Sequence, residues 1–207
     1  MRKFQRFAWC IGIGLLLLGL PVSSLGKASI DLTADEKAWI EQHPVIRVSS
    51  EPDYAPFDFV ANGKSTGFSV DYLNLVAERA GLRLEYVQDT WKNLVEKGKR
   101  KEIDLMHTIL YTPERAPFFH YTEPYKTVVN GIFVRDGVEG VTSLQDLAGR
   151  RVIIAKGDSL AALLPQLVPD ADFVFMDTYE EILKSVSLGQ GDATVMDIAV
   201  VHYLIRT

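Results

Sequence analysis

Short β-rich runs alternate with segments of helical apolar spacing along most of the 207-residue chain, and this alternation limits the possible folds more than any other feature. The predicted strands are 45–48, 82–87, 103–109, 131–135, 151–155, 173–176 and 193–196. The predicted helices are 33–43, 68–80, 91–97, 143–147, 159–167 and 178–188, followed by a helix that begins near Asp197. The proline- and glycine-containing stretch 49–67 predicts a loop. Strands that alternate with helices favour an α/β fold with largely parallel sheets.

Residues 1–28 have the pattern of a secretory signal peptide. Arg2, Lys3 and Arg6 precede an apolar run over 7–20, and small residues follow it up to Ala28. A basic start, a short apolar stretch and a small-residue exit are typical of an export signal. An uncleaved membrane anchor is the alternative, but the run is shorter than the roughly 20 residues that a spanning helix needs. We therefore expect the chain from residue 29 onward to be exported.

The composition excludes several classes of site. The predicted signal peptide holds four of the 22 basic residues and none of the 27 acidic ones, so the rest of the chain carries nine more acidic than basic residues. Such a surface is not expected to bind nucleic acid, because that binding depends on neutralising phosphates. The single cysteine, Cys10, lies in the signal, so the remainder has no thiol nucleophile and no cysteine metal ligand. The four histidines show no metal-ligand spacing, and we expect no cofactor.

Polar and aromatic side chains follow several predicted strands, where open α/β sheets bind their ligands. Arg115 follows 103–109, Ser159 opens a helix after 151–155, and Asp197 follows 193–196. These groups suit a small zwitterion: the guanidinium and the helix N-terminus would bind a carboxylate, and the aspartate an ammonium. Tyr54 and Trp91 would cover the apolar part of the ligand.

Each of these residues also has a structural interpretation. Arg115 could close a Pro-Glu-Arg turn, Ser159 and Asp197 could simply cap helices, and Tyr54 and Trp91 could be core aromatics.

Six motifs occur in an order that resembles the family 3 bacterial extracellular solute-binding proteins. They are Tyr54-x-Pro56-Phe57, Gly67-Phe68-Ser69-Val70-Asp71, Thr112-Pro113-Glu114-Arg115, Thr122-Glu123-Pro124-Tyr125, Asp146-Leu147-Ala148-Gly149 and Gly191-Asp192-Ala193 with Asp197. The resemblance covers about 45–207 and implies a two-lobed flytrap that closes on its ligand by a hinge. We expect a lead-in helix within 29–44, a first lobe at 45–135 and a second lobe at 136–207, joined through 136–141.

The resemblance also implies roles for individual residues. Arg115 and Ser159 match the residues that bind the ligand's carboxylate, and Asp197 matches the carboxylate that binds its amine. Tyr54 and Trp91 fall where pocket aromatics lie. Glu51 falls where side-chain specificity is often set, although a solvated loop residue is the alternative.

The chain departs from the family pattern at two places. Leu110 stands where the family often has a hydroxyl residue that binds the amine, so another acceptor near Thr108 would have to replace it. The family's chain normally returns to its first lobe after the helix that begins near Asp197, whereas this sequence stops at Thr207. We therefore expect a truncated first lobe and a fragment of a longer protein.

The predicted function is reversible binding of a small amino-acid-like or carboxylate ligand in the periplasm, by a protein that is not an enzyme. The partner would be the membrane subunits of an importer or the output domain of a transmembrane sensor. Residues 32–48 resemble the lead-in of flytrap domains in sensor kinases and diguanylate cyclases. The alternatives are an enzyme on the same fold, similar to cyclohexadienyl dehydratase with Glu123 or His107 as the acid, and the non-catalytic flytrap domain of a lytic transglycosylase.

Overall fold

The computed structural model describes residues 30–206, so the predicted signal peptide lies outside the described residues. Its α-helices are α1 (Ala34–Gln42), α2 (Phe68–Ala80), α3 (Trp91–Lys99), α4 (Ser159–Leu167), α5 (Tyr179–Ser187) and α6 (Ile198–Arg206), with a 3₁₀ helix at Leu144–Leu147. Between residues 30 and 206, no helix is both long enough and apolar enough to cross a membrane.

The first α/β unit contains two small sheets. Strands β1 (Ile46–Ser50) and β5 (Leu84–Gln88) pair in parallel, with Ile46 opposite Leu84. The predicted loop 49–67 instead holds an antiparallel sheet of β2 (Asp53–Tyr54), β3 (Asp58–Ala61) and β4 (Lys64–Thr66). These strands have only two to four residues, which is too short to produce a clear period-2 signal.

Residues 103–109 do not form the predicted strand. Their only ladder contact in the described chain is a single parallel bridge between Leu105 and Val48. The side chain of Asp104 accepts hydrogen bonds from the Arg47 backbone N–H at 2.9 Å and from the Arg47 guanidinium at 2.7 Å. A backbone donor of β1 next to the bridge is therefore bonded to a carboxylate and not to the backbone of a paired strand. The apolar run is explained by local burial, with Ile103 4% exposed, rather than by strand pairing.

The second unit is a four-stranded sheet in the order β6-β9-β7-β8, formed by β6 (Asn130–Val134), β7 (Arg151–Ala155), β8 (Asp172–Met176) and β9 (Ala193–Asp197). Strand β7 is parallel to β8 and β9, and β6 is antiparallel to β9.

The expected boundary between the lobes at 136–141 is wrong, because β6 already belongs to the second sheet. Ile132 and Val134 pack against the cluster that contains Val152 and Ile154, so apolar burial draws this strand into the second lobe. Residues 136–141 follow β6 as a turn, in which the Val138 N–H bonds to the Arg135 carbonyl at 3.3 Å.

The local signals of several elements agree with the structure. Helix α2 spans the predicted 68–80 and ends at Gly81, whose φ of 74° is left-handed. In α1, Thr33 and Glu36 form a capping box. At α5, Thr178 accepts the Glu181 N–H. The two apolar clusters of the second lobe cover opposite faces of its sheet, and Phe57 of the first lobe is buried in one of them.

Candidate functional site

Arg115 is buried at the junction of the two lobes, with 5% of its surface exposed. Its Nη1 donates to the Leu110 carbonyl at 3.1 Å, and its Nη2 donates to the Gly157 carbonyl of the second lobe at 2.8 Å. No carboxylate of the described chain forms an ion pair with this guanidinium. Since a guanidinium has five N–H donors, Arg115 is a buried cation with donors to spare. The Arg115 backbone N–H also bonds to Thr112 Oγ1 at 3.2 Å, so the expected turn exists as well.

Trp91, like Arg115, donates a hydrogen bond to Gly157 of the second lobe. It is the first residue of α3 and only 8% exposed. Its Nε1 donates to the Gly157 carbonyl at 2.9 Å, and the Arg115 guanidinium carbon lies 5.4 Å from the indole centre. Gly157 has a φ of +75°, and a Cβ there would lie 3.2 Å from the Lys92 Cα. The backbone of the second lobe therefore lies so close to α3 that a Cβ at 157 would be crowded and would require a small shift of Lys92.

Ser159 is not the N-cap of α4, which removes its structural interpretation. Asp158 is the cap and accepts the Leu160 N–H at 2.8 Å. The Ser159 hydroxyl lies 3.2 Å from Asp158 Oδ1, to which it donates.

A cavity of about 520 Å³ lies between the lobes. Thr112 and Arg115 line it from the first lobe, and Gly157, Asp158 and Ser159 line it from the second. Its volume is in the range of small-molecule sites.

Asp197 and Tyr54 contact each other directly. The Tyr54 hydroxyl donates to Asp197 Oδ2 at 3.2 Å, from the first lobe to the second. Asp197 Oδ1 accepts the Ala199 N–H at 2.7 Å, so this carboxylate also caps α6. Burial is the main cause of a raised pKa of the Tyr54 hydroxyl, and the charge of Asp197 adds to it. Both oxygens of Asp197 are thus already hydrogen-bonded.

Glu51 is not a solvated loop residue, because only 3% of its surface is exposed. Its Oε2 is buried without a hydrogen-bond partner in the described chain. Burial raises the pKa of this carboxyl well above its usual range, the charges of Asp58 and Asp53 raise it further, and Arg115 acts in the opposite direction. Glu51 therefore favours its neutral form.

Leu110 occupies the family's hydroxyl position, and Thr108 is the residue near which a replacement acceptor for the amine is expected. The Thr108 hydroxyl is buried and has no partner in the part of the chain that the structure describes. Leu110 is 40% exposed, and its carbonyl accepts a hydrogen bond from Arg115.

Sequence reasoning missed three residues near this site: Asp53, Tyr121 and Asp158. The Tyr121 hydroxyl is buried without a partner among residues 30–206, and Arg115 lowers the pKa of Tyr121 while burial raises it more strongly. Asp158 could have been found from its place before a predicted helix, since Asp is a preferred N-cap. In the same range, no group of three or more His, Cys, Asp and Glu residues is arranged to hold a metal ion.

Comparisons with known proteins place this geometry in a family. The chain is 30% identical over 188 residues to the virulence sensor protein BvgS of Bordetella pertussis, covering 88% of this chain but only 15% of the sensor. It is 30% identical over 175 residues to the putative amino-acid ABC transporter-binding protein PatH of Vibrio harveyi, covering 83% of this chain and 69% of PatH.

A crystal structure of a histidine kinase sensor domain with similarity to periplasmic binding proteins matches with a TM-score of 0.76 and 27% identity, covering 80% of this chain and 73% of that one. The two α/β units are therefore the lobes of the periplasmic-binding-protein fold. Residues 46–195 match the family that is described as bacterial extracellular solute-binding proteins, family 3, and the chain belongs to that family.

Proposed function

We propose that the chain binds a small amino acid or amino-acid-like carboxylate between its lobes, and that lobe closure is the output. The observation that supports this most directly is Arg115, a guanidinium 5% exposed that lines the interlobe cavity without a carboxylate partner in the described chain. Burying a charge is costly unless it is paired. An anionic ligand would supply the missing partner.

The ligand's carboxylate would accept from the free N–H groups of Arg115 on one side. On the other side it would accept from the backbone at the start of α4 and from the Ser159 hydroxyl, which would first have to turn away from Asp158 Oδ1. A ligand shifts the equilibrium between open and closed lobes only by its differential affinity for the closed form. Contacts from both lobes exist together only when the lobes are closed, and this provides the differential.

The amine of an amino acid would approach Asp197, where it would compete with the Tyr54 hydroxyl for Oδ2. Trp91 and Tyr54 would pack on the apolar part of the ligand, while Glu51 and Thr108 would contact its side chain from the first lobe. Buried polar atoms at Glu51 and Thr108 that lack a partner in the described chain support this assignment.

We propose that the protein acts in the periplasm after export, as the receptor of an importer or the input domain of a sensor. PatH is named as a transporter-binding protein and BvgS as a sensor, so the relatives support both roles. A cross-linking experiment in cells would separate them, because the captured membrane protein is either an importer subunit or a transmembrane sensor. We favour binding over catalysis, because PatH is named as a transporter-binding protein and BvgS as a sensor.

A thermal-shift screen of the twenty L-amino acids and their deaminated analogues, followed by calorimetry, tests this proposal. We expect at least one carboxylate to bind, and Arg115→Ala to weaken its binding by about 2–5 kcal/mol, which is more than tenfold. Arg79→Ala is the matched control, because Arg79 is exposed on α2. Equal affinity in wild type and Arg115→Ala would contradict the assignment.

A further inference from the structure

A hydrogen bond joins the two lobes through residues that are far apart in sequence. Asp53 lies in β2 of the first lobe, and its Oδ2 accepts the Tyr179 backbone N–H at 2.7 Å. Tyr179 is the first residue of α5 in the second lobe and is 7% exposed.

The Tyr179 N–H is one of the helix donors that lack an acceptor within α5. Thr178, the N-cap, accepts the Glu181 N–H instead, so it does not serve Tyr179. The carboxylate of Asp53 supplies the acceptor and places a negative charge at the positive end of the helix dipole. A helix of the second lobe is therefore capped in part by a side chain of the first lobe.

Tyr179 connects Asp53 to residues at the cavity. Its ring lies 5.5 Å from the ring of Tyr54, and its hydroxyl lies 3.4 Å from Asp158 Oδ2, to which it donates. Asp158 in turn caps α4 and precedes Ser159, which lines the cavity. Asp53 thus lies at one end of a series of contacts that ends at the carboxylate-binding side of the second lobe.

We propose that Asp53 is a positioning residue of the binding site, which stabilises the closed lobes and orients Tyr179 without touching the ligand. This inference rests on the proposed function, because it assumes that lobe closure accompanies binding. Burial is the largest cause of a raised pKa of Asp53, and the Tyr179 N–H acts against it. The bond across the lobes therefore offsets part of the cost of desolvating Asp53.

Distance measurements between spin labels, made with no ligand added, test the effect on closure. Labels would be placed at Glu85→Cys in the first lobe and Gln166→Cys in the second, both exposed sites, in a Cys10→Ser background that removes the single native cysteine. Removing a cap acceptor should reduce the closed-to-open ratio by about two- to thirtyfold in Asp53→Ala.

Two further variants separate a positioning role from general destabilisation. Asp53→Asn keeps an oxygen acceptor but no charge, so its ratio should lie between those of wild type and Asp53→Ala. Asp170→Ala is the matched control, because Asp170 is an exposed aspartate of the second lobe and its side chain has no hydrogen bond within the described residues. Its ratio should equal that of wild type.

Amide hydrogen exchange at Tyr179 provides a second readout. We expect protection in wild type and loss of protection at Tyr179 in Asp53→Ala, with the β7 and β9 amides unchanged. A folded Asp53→Ala protein with the wild-type distance distribution and a protected Tyr179 amide would overturn the inference. If Asp53→Ala fails to fold, the same criterion applies to Asp53→Asn.

These measurements are independent of the ligand screen. An unchanged distance distribution in the variants would overturn the role of Asp53 and leave ligand binding standing. The absence of any binding carboxylate would overturn the proposed function, while the interlobe distances would still report on the bond. Where a binding amino acid is found, Asp53→Ala should lower its affinity by the same factor as the closed-to-open ratio.

Discussion

The Nε2 atom of His107 lies 3.6 Å from Oδ2 of Asp58, and both side chains are buried. Asp58 accepts hydrogen bonds from the Ser50 hydroxyl at 3.0 Å and the Glu51 N–H at 2.8 Å, so it fixes the end of β1 where Glu51 lies. The ring nitrogens of His107 have no hydrogen-bond partner in the described chain. Burial raises the pKa of Asp58 to about 7 and lowers the pKa of His107 to about 4. The folded protein therefore holds both groups neutral between these values.

The two groups should make opposite contributions to the pH dependence of stability. Asp58 is protonated in the folded state and ionised in the unfolded state between pH 3.8 and about 7, so its contribution is present at low pH and is lost as the pH rises. His107 is neutral when folded and charged when unfolded between about pH 4 and 6.5, so its contribution is present at high pH and is lost as the pH falls. In wild type the two slopes largely cancel over their shared window.

Single substitutions should reveal each slope. Relative to wild type, Asp58→Asn should gain stability as the pH rises from 4.5 to 6.5, by up to about 1.4 kcal/mol per pH unit. His107→Gln should lose stability over the same range by a similar amount. Urea unfolding at three pH values measures both. Slopes near zero would contradict the prediction, because an ionised folded pair binds nearly the same number of protons as the unfolded chain over this range.

A second prediction concerns Gly157, whose carbonyl accepts from both Trp91 and Arg115. Gly157→Ala would place a Cβ 3.2 Å from the Lys92 Cα and push α3 away from that carbonyl. We expect this crowding to weaken ligand binding by about 1–2 kcal/mol, roughly tenfold. Calorimetry with the tightest ligand of the screen is the measurement.

Gly149→Ala is the matched control for this change. Gly149 has a similar φ of +71°, but a Cβ there meets nothing within 4 Å. Both substitutions should therefore lower the free energy of unfolding by about 1–2 kcal/mol through backbone strain. Only Gly157→Ala should lower affinity, and an equal loss of affinity in both variants would exclude the crowding explanation.

Elements with a complete local signal could be predicted from the sequence. Helix α2 has helical apolar spacing and a glycine stop, and β7 is a short apolar run whose observed bounds equal the predicted ones. The run 103–109 carries a similar apolar signal but forms only one bridge. Whether residues 103–109 pair as a strand depends on the Asp104 side chain and on the neighbouring strands. The apolar pattern of the run itself carries no information on either.

The sequence indicated candidate side chains for the site but not the contacts that they make. Arg115 and Ser159 line one cavity, although only Ser159 follows a strand of the structure, since 103–109 forms a single bridge. Trp91 and Arg115 both donate to the backbone carbonyl of Gly157. Every residue type has such a carbonyl, so the residues at 91 and 115 do not indicate this contact. The bond from Asp53 to Tyr179 joins positions 126 residues apart, so no spacing rule could indicate it.

The last prediction concerns the selectivity for an amine at Leu110. The family pattern often has a hydroxyl residue here, and Leu110 offers no side-chain acceptor, while Asp197 is already bonded to Tyr54 and Ala199. An ammonium has three donors, and leaving donors unmet in a buried site is costly. Wild type should therefore discriminate weakly between an α-amino acid and its deaminated analogue. Leu110→Ser should raise the ratio of the two affinities by about three- to tenfold, since a neutral acceptor contributes about 0.5–1.5 kcal/mol. Leu110→Ala is the control, because it removes the leucine side chain without adding a hydroxyl. Calorimetry on each pair of ligands gives the ratio, and equal ratios in Leu110→Ser and Leu110→Ala would show that the amine does not bind at this position.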